Sequence, residues 1–272
     1  MDLINEKFLE LRDRKEGAHI AHIYYGDPNE EFSIKLVEIL VKNGVDMIEF
    51  GIPFSDPIAD GPIFQASCER ALNAGITPIK CINGIKKLKD LKIPIIVTTY
   101  FNIPYVIGFE KFLEMIKETG AEGILIPDLP LEEAEPYLKM IREKDLHLIL
   151  QVAPTTSNER LKRILMNASG FIYLISLEGV TGSKLRINPS ILKLIKDIKA
   201  QSTIPIIVGF GISKKEHAEI IIANGADGIA IGSAYARIYS KDLKNPYRKL
   251  FEIAKLAREI KIGCINGYRK RL

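Results

Sequence analysis

Short apolar runs recur along the chain, and each is followed by a turn and an amphipathic stretch. Runs with few polar residues are typical of strands covered on both faces, as in a parallel sheet. The stretches between them repeat apolar residues at helical spacing. We predict strands at 18–25, 45–51, 93–98, 123–126, 146–152, 171–175, 204–208 and 228–231. We predict helices at 32–42, 109–117, 131–144, 214–224 and 246–260.

Eight strands alternating with helices favour a closed (β/α)8 barrel, the TIM-barrel fold, with residues 1–272 as a single α/β domain. A further helix predicted at 3–14 precedes the first strand, and we expect it to cover the bottom of the barrel. The alternative is an open doubly wound sheet. Against that alternative, no G-x-G-x-x-G sequence opens a helix after the first run.

Composition narrows the function classes. Apolar residues make up 47% of the chain and charged residues 26%, the balance of an ordinary globular protein. The net charge of +4 is small and dispersed, which disfavours nucleic acid binding, and the basic tail at 268–271 is interpreted as a solvated end. Three cysteines form no disulfide framework or metal motif. Because neither a signal peptide nor a membrane-length apolar run is evident, we expect a soluble, cytoplasmic protein.

The segment at 48–62, IEFGIPFSDPIADGP, is the most informative part of the chain. Glu49 lies inside an apolar run, where a lone carboxylate is costly to desolvate or has its pKa raised. A salt bridge to a basic residue at the rim is the structural alternative, but the run holds no Lys or Arg. We therefore predict that the strand end delivers Glu49 to a site, and that the following loop brings Asp60 over it.

The strand ends of a barrel and the loops after them build its active site, so we expect the other candidates there. Asp60 could also be a turn former, because Asp-Gly is a common turn pair. Asp56 before Pro57 has the same structural interpretation, and Tyr173 inside its run could simply pack. The remaining candidates at these ends are Tyr100, Asn102, Asp128 and the glycine-flanked hydroxyl segment 179–183.

Two glycine-containing loops follow the last two strands, at 209–213 and 232–234. Each precedes a helix, whose free amides and dipole favour an anion. The loops after strands seven and eight are the recurrent phosphate site of this fold, so we predict phosphate binding here. The alternative is that Ser213 is only an N-cap, and that Gly209 and Gly211 are only turn residues.

Some chemistries are disfavoured. No lysine lies within or at the end of a strand run, which argues against a Schiff-base aldolase. The histidines are scattered without the spacing of metal ligands, so no metal site is predicted. His22 alternates with Ile20 and Tyr24 and could face the barrel mouth, although a packed or hydrogen-bonded histidine is the commoner outcome.

These motifs resemble the tryptophan synthase alpha subunit family over nearly the whole chain, in order. The acid-bearing segment at 48–62 is the most specific of them. Matching segments are GDP at 26–28, GIPFSDPIADGP at 51–62, PDLP at 127–130, GVTG at 179–182, GFGIS at 209–213 and IGSA at 231–234. The resemblance implies retro-aldol cleavage of indole-3-glycerol phosphate to indole and glyceraldehyde 3-phosphate, without a cofactor in this chain.

The resemblance also assigns roles to residues. Glu49 would protonate the indole carbon that bears the side chain and then deprotonate the side-chain hydroxyl, while Asp60 would hold the indole N–H. Thr181, on a lid, would orient Asp60. Backbone amides of Gly182, Phe210, Gly211, Gly232 and Ser233 would bind phosphate, and Tyr100, Tyr173 and Phe210 would wall the indole. His22 and Thr98 stand where relatives commonly have apolar residues.

A partner is implied too, namely a pyridoxal-phosphate beta subunit in an αββα assembly. The loop at 53–60 and the region 127–130 would lie at that contact. Three alternatives stay open at this point. The chain could be a stand-alone indole-forming lyase, a non-catalytic allosteric partner of the beta subunit, or a barrel isomerase acting on a related sugar phosphate.

Overall fold

The computed structural model describes residues 2–175, 189–209 and 211–271. In these ranges the strands are β1 (Ala18–Tyr24), β2 (Met47–Gly51), β3 (Ile95–Thr98), β4 (Gly123–Leu125), β5 (His147–Leu148), β6 (Leu150–Val152), β7 (Ile172–Ile175), β8 (Ile206–Gly209) and β9 (Gly228–Ile231). The helices are α1 (Leu3–Asp13), α2 (Glu30–Lys42), α3 (Pro62–Asn73), α4 (Pro78–Lys86), α5 (Asn102–Ile107), α6 (Phe109–Lys117), α7 (Leu131–Glu143), α8 (Asn158–Asn167), α9 (Pro189–Lys199), α10 (Lys215–Ala223), α11 (Ser233–Tyr239) and α12 (Leu250–Arg269).

All strand pairs are parallel, in the order β5-β4-β3-β2-β1-β9-β8-β7-β6. The two end strands, β5 and β6, both come from the fifth predicted run and are separated by Ile149 alone. The N–H of Ile149 donates to the carbonyl of Ile124 at 2.9 Å, so the run leans on β4 first and then on β7. The sheet therefore closes within this run, which confirms the barrel and excludes the open doubly wound sheet.

The predicted helices are present with end shifts of one or two residues, apart from the last. Residues 246–249 form a 3-10 turn, and α12 continues to Arg269 rather than ending at residue 260. Gly263 and Gly267 lie inside α12 without ending it. A Cβ on either glycine would come within 2.6 Å of a backbone carbonyl oxygen of α10. These glycines therefore let two helices pack closely, which a local pattern does not distinguish from a helix stop.

Alternation along the strands separates two cores. Ala21, Ile23 and Phe50 point outward and pack under the helices in the larger core. Inward-facing residues form a second core inside the barrel, consisting of Ala18, Ile20, Met47, Ile96, Leu125, Ile149, Phe171, Ile207 and Ala230. Because side chains alternate with period two, the next inward residues toward the carboxyl ends of β1, β2 and β3 line the barrel mouth.

Helix α1 covers the bottom of the barrel, as expected. Ile4 and Leu11 are buried in the inner core, and the ring of Phe8 meets the ring of Phe171 edge-on at 6.1 Å. The carboxylate of Asp2 caps the helix by accepting from the N–H of Asn5 at 2.8 Å. Among the helices of the described ranges, none has the length and apolarity needed to cross a membrane.

Candidate active site

The register of the sheet sets the inner layer at the barrel mouth. His22 of β1 is the Cα partner of Glu49 of β2, and both residues face inward. Thr98 ends β3 beside them, as the partner of Gly51. Adjacent strands lie about 4.8 Å apart, so three polar side chains from three consecutive strands meet in one small region.

Glu49 is 4% exposed and has no Lys or Arg partner within the described residues. Its Oε1 accepts a hydrogen bond from the Thr98 hydroxyl at 2.8 Å, and Oε2 is buried with no partner in the part of the chain that the structure describes. Burial raises the pKa of Glu49 to about 7, although the Thr98 hydrogen bond lowers it in part. The alternative of a salt bridge to a basic residue is not found among the described residues. With a pKa near 7, the carboxyl group is able to exchange a proton at neutral pH.

His22 is buried beside Glu49, with its Nδ1 3.3 Å from Oε1, and its Nε2 has no partner among the residues that the structure describes. Burial lowers the pKa of His22 to about 4, against the opposing charge of Asp60. The imidazole is therefore neutral at pH 7. The contact is one between a neutral ring and a carboxyl group rather than an ion pair.

Asp60 lies at the end of the loop between β2 and α3 and is half-buried. Its Oδ2 accepts hydrogen bonds from two phenols, Tyr24 at 2.6 Å and Tyr100 at 2.7 Å. The hydroxyl of Tyr100 also accepts from the backbone N–H of Ala59 at 3.1 Å, which anchors the loop. Among the described residues, Asp60 is thus held by neutral donors through one oxygen, and Oδ1 is left for another partner.

Glu49 and Asp60 line one cavity of about 440 Å³ at the carboxyl ends of the strands. Three of the predicted phosphate residues, Gly211, Gly232 and Ser233, line the same cavity. Its walls are largely apolar. The other lining residues include His22, Tyr24, Phe64, Thr98, Leu125, Gln151, Tyr173, Ile175, Ile212, Ile231 and Arg237. A largely apolar cavity with a few convergent polar groups is the usual form of a small-molecule site.

Two glycines shape this cavity by what they lack. A Cβ on Gly209 would lie 2.2 Å from the hydroxyl oxygen of Tyr173, so the tyrosine ring reaches the cavity only because residue 209 has no side chain. A Cβ on Gly232 would lie 2.3 Å from the ring of Phe64 and 2.9 Å from the Cβ of His22. Gly209 therefore leaves room for the ring of Tyr173. Gly232 lets its own backbone lie close to Phe64 and His22 in the cavity wall.

Tyr100, predicted as a wall of the indole pocket, is not among the residues that line this cavity. It is 1% exposed, stacks on Phe54 at 5.3 Å between ring centroids and acts through Asp60. Asn102 begins α5. The carboxylate of Asp128 accepts from the backbone N–H of Phe101 at 2.9 Å, which gives Asp128 a structural role in joining two loops.

Three predicted residues, Thr181, Gly182 and Phe210, lie outside the described ranges. Within those ranges, no group of three or more His, Cys, Asp or Glu side chains could hold a metal ion.

Sequence reasoning missed the role of Tyr24. The period of β1 places Tyr24 on the same face as His22, but its partner Asp60 is 36 residues away and reaches it only through the loop. Thr98 and His22 were noted as unusual for the indole pocket, and the structure places both against Glu49. Polar residues on the inward face of a strand end are the signal that could have found all three.

Comparison with known proteins agrees with this geometry. The family model described as tryptophan synthase alpha chain matches residues 8–264. The tryptophan synthase alpha chain of Methanocaldococcus jannaschii is 45% identical over 240 residues, which cover 88% of this chain and 85% of that protein. That of Prochlorococcus marinus is 44% identical over 259 residues, which cover 95% and 92%.

Among solved structures, tryptophan synthase subunit alpha from Legionella pneumophila superposes with a TM-score of 0.88 at 32% identity, covering 97% of this chain and 98% of that one. The family match at residues 8–264 includes Glu49, Asp60 and the two glycine loops that line the cavity. The chain therefore belongs to the tryptophan synthase alpha chain family.

Proposed function

We propose that this cavity cleaves indole-3-glycerol phosphate to indole and glyceraldehyde 3-phosphate, the lyase reaction of the family, with Glu49 and Asp60 as its catalytic residues. The observation that carries the assignment is their convergence. Both carboxyl groups line one cavity, and the glycine loops predicted to take phosphate line it as well.

Glu49 supplies the proton transfers. In its protonated form it gives a proton to the indole carbon that bears the glycerol phosphate chain. The resulting carboxylate then removes the proton from the hydroxyl of the adjacent chain carbon, and the carbon–carbon bond breaks to give an aldehyde and indole. A group that must both give and take a proton works best with a pKa near the working pH, and burial brings Glu49 to about 7.

Asp60 supplies charge stabilisation. Protonation of the ring carbon places positive charge on the indole nitrogen, and a carboxylate that accepts its N–H stabilises that charge. The two phenols that donate to Oδ2 orient the group, so that Oδ1 is free to face the ring nitrogen. Asp60 lies on a half-buried loop rather than inside a strand, which keeps it better solvated than Glu49.

The two ends of the substrate are assigned to different parts of the cavity lining. The apolar wall with Leu125, Tyr173 and Ile175 suits the indole, and the backbone at Gly211, Gly232 and Ser233 suits the phosphate. Arg237 lies on the same side of the cavity as Ser233, one helical turn further along α11, and would add attraction for a dianion. Thr181, Gly182 and Phe210 complete the proposed set as lid and phosphate residues.

The proposal extends to the assembly. The family's reaction needs no cofactor in this chain, and pyridoxal phosphate belongs to the beta subunit that receives the indole. We assign the loop at 53–60 and the region 127–130 to the contact with that subunit in an αββα assembly, and the chain to the cytoplasm.

The test is incubation of the purified chain with indole-3-glycerol phosphate, with and without the beta subunit, while free indole is followed. Indole should form in both samples and much faster with the beta subunit. Equal rates would indicate a stand-alone lyase. No indole in either sample would contradict catalysis and leave only the contact with the beta subunit.

A further inference from the structure

Glu49 has two polar neighbours, Thr98 and His22, that take no part in the proposed proton transfers. Its Oε1 lies 2.8 Å from the Thr98 hydroxyl and 3.3 Å from Nδ1 of His22. Its Oε2 has no partner within the described residues. The two oxygens of one carboxyl group are thus divided, because one faces polar neighbours and the other is unoccupied.

The position of His22 is imposed by the fold. Residues 22 and 49 are register partners on adjacent parallel strands, so their proximity is built into the sheet. The imidazole also packs against the rings of Phe64 and Tyr24, at 4.6 Å and 5.0 Å between centroids. Gly232, directly after β9, lies against the ring's base, since a Cβ there would lie 2.9 Å from the Cβ of His22. A ring held on several sides can orient a neighbour.

The protonation states decide what His22 can do. The imidazole is neutral at pH 7 because burial lowers its pKa to about 4. Once Glu49 has lost its proton, the favourable tautomer carries hydrogen on Nδ1, because a ring lone pair facing the carboxylate would be repelled. Neutral Nδ1–H is then a donor to Oε1. The contact of 3.3 Å is long for such a bond, and catalytic hydrogen bonds are commonly long without substrate and shorten when it binds.

Other ionisable groups line the same cavity. They are Asp60 from the loop, Tyr24 from the same strand as His22, Tyr173 from β7 and Arg237 from α11. Burial raises the pKa of Tyr24 and of Tyr173 well above the ordinary tyrosine value, so both stay protonated across the working range. The charge of Asp60 favours a protonated His22, but burial outweighs it. None of these four groups has a hydrogen bond to Oε1 of Glu49 among the described contacts, so none could take the place of His22 there.

We propose that His22 is a positioning residue for Glu49, whose Nδ1–H holds Oε1 together with the Thr98 hydroxyl and so keeps Oε2 free for the substrate. This inference rests on the proposed function of Glu49. It gives the otherwise uncompensated carboxylate two neutral donors. A hydrogen bond to a charged group stabilises it more than a neutral one does, so the donor favours the ionised form that acts as base.

Two substitutions separate this role from packing. His22→Phe keeps a ring of similar size and removes the donor, whereas His22→Asn places an amide N–H near the position of Nδ1 and cannot titrate. We expect kcat for indole formation to fall about tenfold in His22→Phe and less than about threefold in His22→Asn, with KM within about twofold in both. Thr98→Val is the matched control that removes the other donor, and it should resemble His22→Phe.

The pH profile supplies the second readout. Loss of the donor leaves the carboxylate less stabilised, so the pKa of Glu49 should rise. Because the reaction begins from protonated Glu49, the alkaline limb of kcat/KM should move to higher pH in His22→Phe, by about one unit, and stay near its original position in His22→Asn.

Titration of the Glu49 carboxyl by ¹³C NMR on the free protein measures the same shift without turnover. This keeps the test independent of whether the chain cleaves indole-3-glycerol phosphate. An unchanged Glu49 titration in His22→Phe would overturn the inference. Equal damage by Phe and Asn, with no shift in either titration, would also overturn it and show that the ring only fills space.

Discussion

Two carboxylates with little solvent exposure lie three residues apart, Asp46 just before β2 and Glu49 within it, and their partners differ. Asp46, at the bottom of the barrel, accepts from the Lys261 ammonium at 2.8 Å and from the backbone N–H of His19 at 2.8 Å. Lys261 also contacts Glu16 at 3.0 Å. Glu49, nearer the top, has neutral neighbours, and one of its oxygens has no partner among the described residues. Barrel bottoms commonly serve stability and barrel tops function, and the two acids differ in their partners in the same sense.

The contrast teaches how burial can be used in two ways. A buried charge with a cation and hydrogen bonds is a structural joint, costly to break from one side. A buried acid without a cation has its pKa displaced toward neutrality and becomes a proton-transfer group. A carboxylate therefore stabilises the barrel just before the strand, and a second carboxylate, we propose, carries chemistry within it.

The largest expected effect is on turnover at the top of the barrel. Glu49→Gln keeps the shape of the side chain and removes both proton transfers, so kcat for indole formation should fall by about 10³-fold or more. Binding of a non-cleavable substrate analogue, measured by calorimetry, should be nearly unchanged. Retained turnover in this variant would rule out the role proposed for Glu49.

The next effect is on stability at the bottom. Lys261→Met leaves the largely buried Asp46 without its cation and Glu16 with Arg14 alone, which should lower the free energy of unfolding by about 3 kcal/mol. Urea unfolding measures the change. Turnover per folded molecule should stay within about twofold of the parent. The matched double variant Lys261→Met/Asp46→Asn should recover part of the stability. A large loss of turnover per folded molecule in Lys261→Met would contradict a purely structural role for this cluster.

A smaller effect links the two properties at Glu49 itself. Its folded pKa of about 7 exceeds the ordinary value of 4.5, so the native state binds the proton more tightly than the unfolded state. The stabilising contribution is complete below about pH 4.5 and is lost as pH rises through 7. Glu49→Gln removes this dependence. Relative to the parent, it should gain on the order of 3 kcal/mol between pH 4.5 and pH 9.

Unfolding by urea at several pH values measures that gain. A constant difference between parent and Glu49→Gln across this range would show that the carboxyl group is not destabilised by burial. The functional end of β2 would then have no stability cost, and its contrast with Asp46 would disappear.

The smallest effect concerns Asp60. Its partners are intermediate between those of the other two acids, because it has two neutral phenol donors where Asp46 has a cation and Glu49 has one hydroxyl donor. Tyr24→Phe removes one of the two donors to Oδ2 and should lower kcat about tenfold with little change in stability. Tyr100→Phe is the matched comparison, and it should cost more because Tyr100 also anchors the loop at Ala59. If neither variant affects turnover, orientation of Asp60 by the phenols is not needed.

Much of the fold was predictable from local pattern. The strands are predictable because burial on both faces excludes polar residues from them. The helices are predictable because apolar and polar residues alternate in them at helical spacing. Glu49 was recognised by the same logic, since a carboxylate inside an apolar run calls for an explanation. The resemblance of the segments at 51–62 and 209–213 to a known family then predicted the reaction.

What local pattern could not predict was contact at a distance. The end of α12 was placed too early because Gly263 and Gly267 serve close packing on α10. Tyr100 was expected on the indole wall, yet its hydroxyl lies on Asp60, 40 residues earlier in the chain. Neither outcome follows from neighbours in sequence, because each depends on which element lies opposite.

The sequence by itself determined which residues face inward and which acid is unusual, because alternation and burial cost act over a few residues. Only the tertiary structure decided which inward-facing side chains share a layer. Strand register put His22 beside Glu49, and barrel closure put the glycine loops on the same cavity as both acids. Register and closure are set by the packing of all the strands together, so no single segment specifies them.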